Sequence, residues 1–158
     1  MSEETISQQA ELVAQPMLSK EDLGKHALTF SQGVEANDVT WVSGKAQVWA
    51  VVVYGNLTVT LKWPNGTKRK FTADSWGAGI GDANAAGGGP WSKTTEGKDY
   101  IPPVGTKMHF QITSVASVAG EIQIFWWIKT GQILGSFVGV AAGAAAWEGG
   151  GTGKWTNP

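Results

Sequence analysis

From residue 45 the chain alternates with a period of two. Ala46, Val48, Ala50, Val52 and Tyr54 interleave with Lys45, Gln47, Trp49, Val51 and Val53, and this β-branched, aromatic stretch predicts a strand buried on much of both faces. The next stretch is cleaner. Leu57, Val59, Leu61 and Trp63 share one face and Thr58, Thr60 and Lys62 the other, the half-buried pattern of an antiparallel strand. Pro64-Asn65-Gly66 then predicts a tight turn, with Lys68-Arg69-Lys70-Phe71-Thr72 returning as the hairpin partner. Further on, Met108, Phe110 and Ile112 alternate with His109, Gln111 and Thr113. Likewise Ile122, Ile124, Trp126 and Ile128 alternate with Glu121, Gln123, Phe125, Trp127 and Lys129.

Two segments depart from this rhythm. Between Trp76 and Trp91, seven of sixteen residues are Gly or Pro, which predicts bulges, kinks or a close backbone approach anchored by Trp76, Ile80 and Trp91. From Thr130 to Trp147 no residue is charged, and glycines stand at 131, 135, 139 and 143. As a helix this spacing gives the small-residue face of a membrane span; as a strand it places Gly135, Phe137, Gly139, Ala141 and Gly143 on one face. The strand is preferred, because small inner residues suit a narrow, strongly curved barrel and the Ala-rich composition gives weak hydrophobic drive. The pattern predicts an all-β fold: a short, closed antiparallel barrel of about eight strands with glycine corners.

Composition divides the chain. Residues 1–40 carry seven acids against two lysines, and all nine tryptophans begin at Trp41. The expectation is therefore an acidic, largely disordered leader over 1–35, with one short helix near 19–26 capped by Ser19, followed by a single barrel domain over 36–158. The opening has no basic n-region and no apolar h-region, so no signal peptide is visible; a cytoplasmic protein, one released by a non-classical route and a mature form all fit. The absence of cysteine excludes disulfides and thiol chemistry, and a net charge of −1 argues against a nucleic-acid partner.

Little in the chain suggests chemistry. The Gly149-to-Lys154 run lacks the first glycine of a phosphate loop, has Trp155 where Ser or Thr is required, and leaves no room for a following helix. Gly77, Gly79 and Gly81 lack dinucleotide-fold context, and His26 and His109 are isolated imidazoles. No catalytic residue, metal ligand or cofactor is expected. The tryptophans are the feature in excess. Trp63 and Trp126 read as core. Trp76, Trp91 and Trp155 are bordered by Gly or Pro, and their rings are candidates to meet a membrane interface or stack on a glycan. Lys68, Arg69 and Lys70 form a solvated edge that also suits anionic lipid.

The tail Gly131-Gln-Ile-Leu-Gly-Ser-Phe-Val138, with Gly149-Gly-Gly-Thr-Gly-Lys-Trp155 after it, resembles the C-terminal half of the bacterial virulence-associated (Vap) proteins. The glycine-rich run from Ala78 to Trp91 is similar to that family's glycine-rich middle, so the resemblance covers about residues 36–158. It implies an eight-stranded Greek-key barrel behind a disordered leader. It also implies a non-enzymatic, cofactor-free role in host interaction, disturbing endolysosomal membranes through a lipid or host-factor partner. A small tryptophan-based lectin and a pore-forming or insecticidal-type toxin component stand as alternatives.

Overall fold

The computed structural model describes residues 39–115, 120–129 and 132–158; the expected leader and its short helix lie outside them. Five antiparallel strands form one sheet: β1 (Val39–Lys62), β2 (Lys68–Ser92), β3 (Lys107–Val115), β4 (Glu121–Trp127) and β5 (Ile133–Thr156), in the order β1-β2-β5-β3-β4. The all-β expectation holds, and the count of eight is corrected to five. Three of the strands are long and bent, each supplying two arms, so that three bent strands and two short ones present eight arms around one core.

The bends have identifiable causes. In β1 the ladder to β2 slips between Val52 and Tyr54, and Val52 takes a φ of 59°, a region that β-branched residues avoid. In β2 the matching position holds Gly79 and Gly81, with φ values of 141° and 136°. In β5 the partner changes: Val140 is the last residue paired with β4 and Trp147 the first paired with β3. Because β3 also pairs with β4, ladders run from one arm of β5 around to the other. Across the sheet, a side chain at Gly55 would come within 2.7 Å of the Trp49 carbonyl oxygen, and one at Gly44 would overlap that of Thr60, so the two arms of β1 lie against each other.

The molecule therefore has two distinct ends. At the bend end lie Val52, Gly79 and the middle of β5. At the turn end lie the start of β1, the 63–67 turn, the 93–106 loop and the start of β3. The turn forms as the sequence predicts: Gly66 N–H donates to the Trp63 carbonyl at 2.9 Å, and Thr67 N–H donates to Asn65 Oδ1 at 2.9 Å. Thr130–Trp147 gives no helix where it is described; β5 occupies it from Ile133 onward, and no described helix is long and apolar enough to cross a membrane.

The core is aromatic. Trp63, Trp91, Trp126 and Trp155 are at most 1% exposed, and ring centroids 5.4–6.4 Å apart join Trp63 to Trp91 and Trp155. Trp126 sits 5.4 Å from Trp91 and 5.5 Å from Trp155, with Phe71 and Phe110 packed beside them. Rings this large need small residues across from them. Trp91 is opposite Gly135 in the β2–β5 ladder, and Ala83, Ala85 and Gly139 continue the inner face. The glycine-rich run thus continues β2 and is not a break between strands, and it carries the expected kink, at Gly79 and Gly81, and the expected close backbone approach, at Gly77, Gly79 and Gly87. One further expectation is corrected. The arm from Lys45 to Val51 is buried on one face only: Ala46, Val48 and Ala50 point inward, while Lys45, Gln47, Trp49 and Val51 point to solvent.

Candidate functional site

Of the three tryptophans expected to be available to a partner, two are core. Trp91 and Trp155 are wholly buried, 5.4 Å apart, because both stand on inward positions of long strands. Trp76 does reach the surface. It lies on the outer face of β2 opposite Tyr54, where the two rings meet edge-on at 5.2 Å. Tyr54 in turn contacts Trp49 at 6.1 Å and 73°, which makes a three-ring collar at the bend end. Around it, Val51, Val52 and Ile80 are 45%, 50% and 64% exposed, and the register sets Val51 directly opposite Ile80. This collar of three aromatic and three aliphatic side chains is the candidate site.

Neither Trp49 nor Ile80 is among the contact residues expected from the sequence, which reads Ile80 only as an anchor of the glycine-rich run. The usable signal was parity: Trp49 and Val51 share alternate positions with Lys45 and Gln47, the solvated face of β1. Tyr54 is fixed by its hydroxyl, which donates to Asp74 Oδ1 at 2.7 Å. That bond, with burial and the carboxylate's charge adding to it, raises the Tyr54 pKa above the ordinary 10.0. Tyr100 is also raised, by burial. Asp74 and Asp82 flank the collar, Asp82 standing opposite Trp49, so its rim is acidic.

The basic run lies elsewhere. Lys68, Arg69 and Lys70 are at the turn end, six to eight residues along β2 from Trp76, or about 20–27 Å at strand rise. One flat surface cannot meet both the run and the collar. Arg69 is engaged structurally: its Nε donates to the Pro102 carbonyl at 2.8 Å and its Nη1 to the Lys68 carbonyl at 3.0 Å. Among the described residues no three His, Asp or Glu side chains gather as a metal site would require.

No protein-family model matches the sequence, and no curated protein matches it by sequence. The architecture does find counterparts. VapD from the intracellular pathogen Rhodococcus equi superposes with a TM-score of 0.58 at 21% identity, over 75% of this chain and 98% of that one. The chain has the Vap fold. VapB from Rhodococcus equi agrees, with a TM-score of 0.55 at 21% identity over 76% of this chain and 99% of that one. Both neighbours are described as virulence-associated, and nearly their whole length is matched. The resemblance read from the glycine and aromatic punctuation is therefore met at the level of the Vap fold.

Proposed function

We propose that the protein is a non-enzymatic, Vap-like host-interaction protein that acts at a target membrane, with the bend-end collar as its contact surface and the arms of β1 completing a barrel. The observation that carries this reading is the collar itself. Trp49, Val51, Val52 and Ile80 are each roughly half exposed and adjacent, where isolated apolar residues are the ordinary case on a soluble surface. Trp and Tyr rings beside aliphatic side chains suit the boundary between lipid headgroups and chains, where the rings keep one edge wet. The collar crowns a strand bend, so it can enter a headgroup layer without unpairing the sheet. The reading places the protein, once released, on endolysosomal membrane of a host.

The lectin reading is less well supported. Trp49, Tyr54 and Trp76 meet edge-on, at 73° and 68°, and so offer no common plane for a sugar face. Pore formation through Thr130–Trp147 would require β5 to leave its ladders with β2 and β4. Co-flotation with phosphatidylcholine vesicles tests the proposal. Removing two collar side chains in Val51→Ser/Ile80→Ser forfeits about 3 kcal/mol of burial, or about a hundredfold in affinity. Equal flotation of the variant and the parent would overturn the collar as the contact surface.

A further inference from the structure

At the turn end, a second surface has a different chemistry. Lys62, Lys68, Lys70, Lys154 and Lys107 all stand on outward positions of four neighbouring strands, β1, β2, β5 and β3. Lys62 is directly opposite Lys68, and Lys107 directly opposite Lys154, while Lys70 faces Thr156 two residues beyond Lys154. Like charges directly across a ladder destabilise a sheet. Among the described residues none of the five has an ion-pair partner. The row of five lysines spans about 14 Å, three strand spacings.

Next to this row a cleft of about 590 Å³ opens between the arms of β1 and the outer face of β2. Its walls bring Lys45, the amides of Gln47 and Asn84, and the hydroxyls of Thr58 and Thr60 over an apolar floor of alanines edged by Val140. Thr60 joins the two features, since it is opposite Lys70 and two residues before Lys62.

We infer that the cleft and the lysine row together form a binding site for a linear acidic polysaccharide of the sulfated type. Amides and hydroxyls hold the hydroxyl groups of one sugar in the cleft, and the lysines meet the anionic groups of the sugars that follow. Two observations disfavour other polyanions. Threonines 60, 72, 152 and 156 stand between the lysines where a single-stranded nucleic-acid site would have stacking rings. Arg69, the residue suited to bidentate phosphate contact, is held by two backbone carbonyls. The lysine row begins about 20 Å from Trp76 along β2, whereas the cleft reaches within two residues of Trp49, about 7 Å, so it is the lysine variants that test this site without touching the collar.

Calorimetry with a heparin-derived octasaccharide on the full chain provides the test. Lys70→Gln/Lys154→Gln should weaken binding about tenfold or more and lower the slope of log Kd against log salt by about two, one for each lost contact. Asn84→Leu should weaken binding about tenfold at an unchanged slope, because it removes a hydrogen bond and no charge. Loss of binding to the desulfated octasaccharide completes the expected result. Absence of binding, indifference to Asn84→Leu, or equal affinity for an oligothymidylate or phosphatidylserine vesicles would overturn the inference.

Discussion

Replacing Gly135 by alanine asks whether the tryptophan core is as tightly fitted as the structure shows. A Cβ at Gly135 would overlap Trp91 Cδ2 and Cε2 and lie 2.6 Å from Cε3, against the roughly 3.5–4.0 Å of a relaxed carbon contact. The indole has no retreat: Trp63, Trp126 and Trp155 each stand 5.4 Å from it, centroid to centroid. Either the β2–β5 ladder parts at this pair or the ring is displaced. Ordinary overpacking costs about 1–3 kcal/mol. Partial expulsion of an indole that buries about 200 Å² raises the upper limit to about 5 kcal/mol. A loss of about 3 kcal/mol lowers the thermal midpoint of a domain this size by about 10 °C, readable by near-ultraviolet circular dichroism. The decisive assay is a double-mutant cycle with Trp91→Phe, whose smaller ring leaves room for the methyl. The double variant should be more stable than the sum of the single losses by about 1 kcal/mol or more. An unchanged midpoint in Gly135→Ala, or strict additivity in the cycle, would refute the packing argument.

Three other expectations follow from single sites. Val52→Asn should raise stability by up to about 1 kcal/mol in chemical denaturation, because asparagine tolerates the positive φ that valine resists, while it weakens vesicle binding; a loss of stability would remove the claim of strain at the bend. Ser75→Ala should cost about 1–3 kcal/mol, since it leaves the buried Trp147 indole N–H without its acceptor at 2.9 Å; a neutral result would mean that the bond contributes nothing. The chain has only two tyrosines, so a phenolate absorbance titration resolves both, and each should ionise above 10.0, with Asp74→Ala lowering Tyr54 and leaving Tyr100 unmoved.

Where large apolar residues alternated with polar ones, the sequence was a good guide. Leu57, Val59, Leu61 and Trp63 all point inward as their pattern requires, and so do Met108, Phe110 and Ile112. The pattern failed where the inner face is made of glycine and alanine, because residues 77–91 leave room for rings supplied by other strands and carry no hydrophobic period of their own. That is why Trp91 and Trp155 looked like residues of glycine loops and proved to be core. The count of eight strands erred for a related reason: the bend at Val52 and Gly79 interrupts the period and shifts the ladder's register without ending either strand. Of the candidate site, only Trp76 was legible in advance. Its partners Trp49, Tyr54 and Ile80 are brought to it by the pairing of β1 with β2 and by the slip at Val52, neither of which has a local sequence signature.

The membrane reading rests on which end of the molecule meets lipid, and the absence of cysteine allows that to be measured directly. Ile80→Cys carries an environment-sensitive fluorophore into the collar, and Thr152→Cys carries the same label to an exposed position on β5, away from the collar. On addition of phosphatidylcholine vesicles, the label at position 80 should shift to the blue and brighten while the label at 152 stays unchanged. Because the collar's rim is acidic and its contact apolar, added salt should not weaken the response. No shift at position 80 with any vesicle, or an equal shift at both positions, would contradict the account.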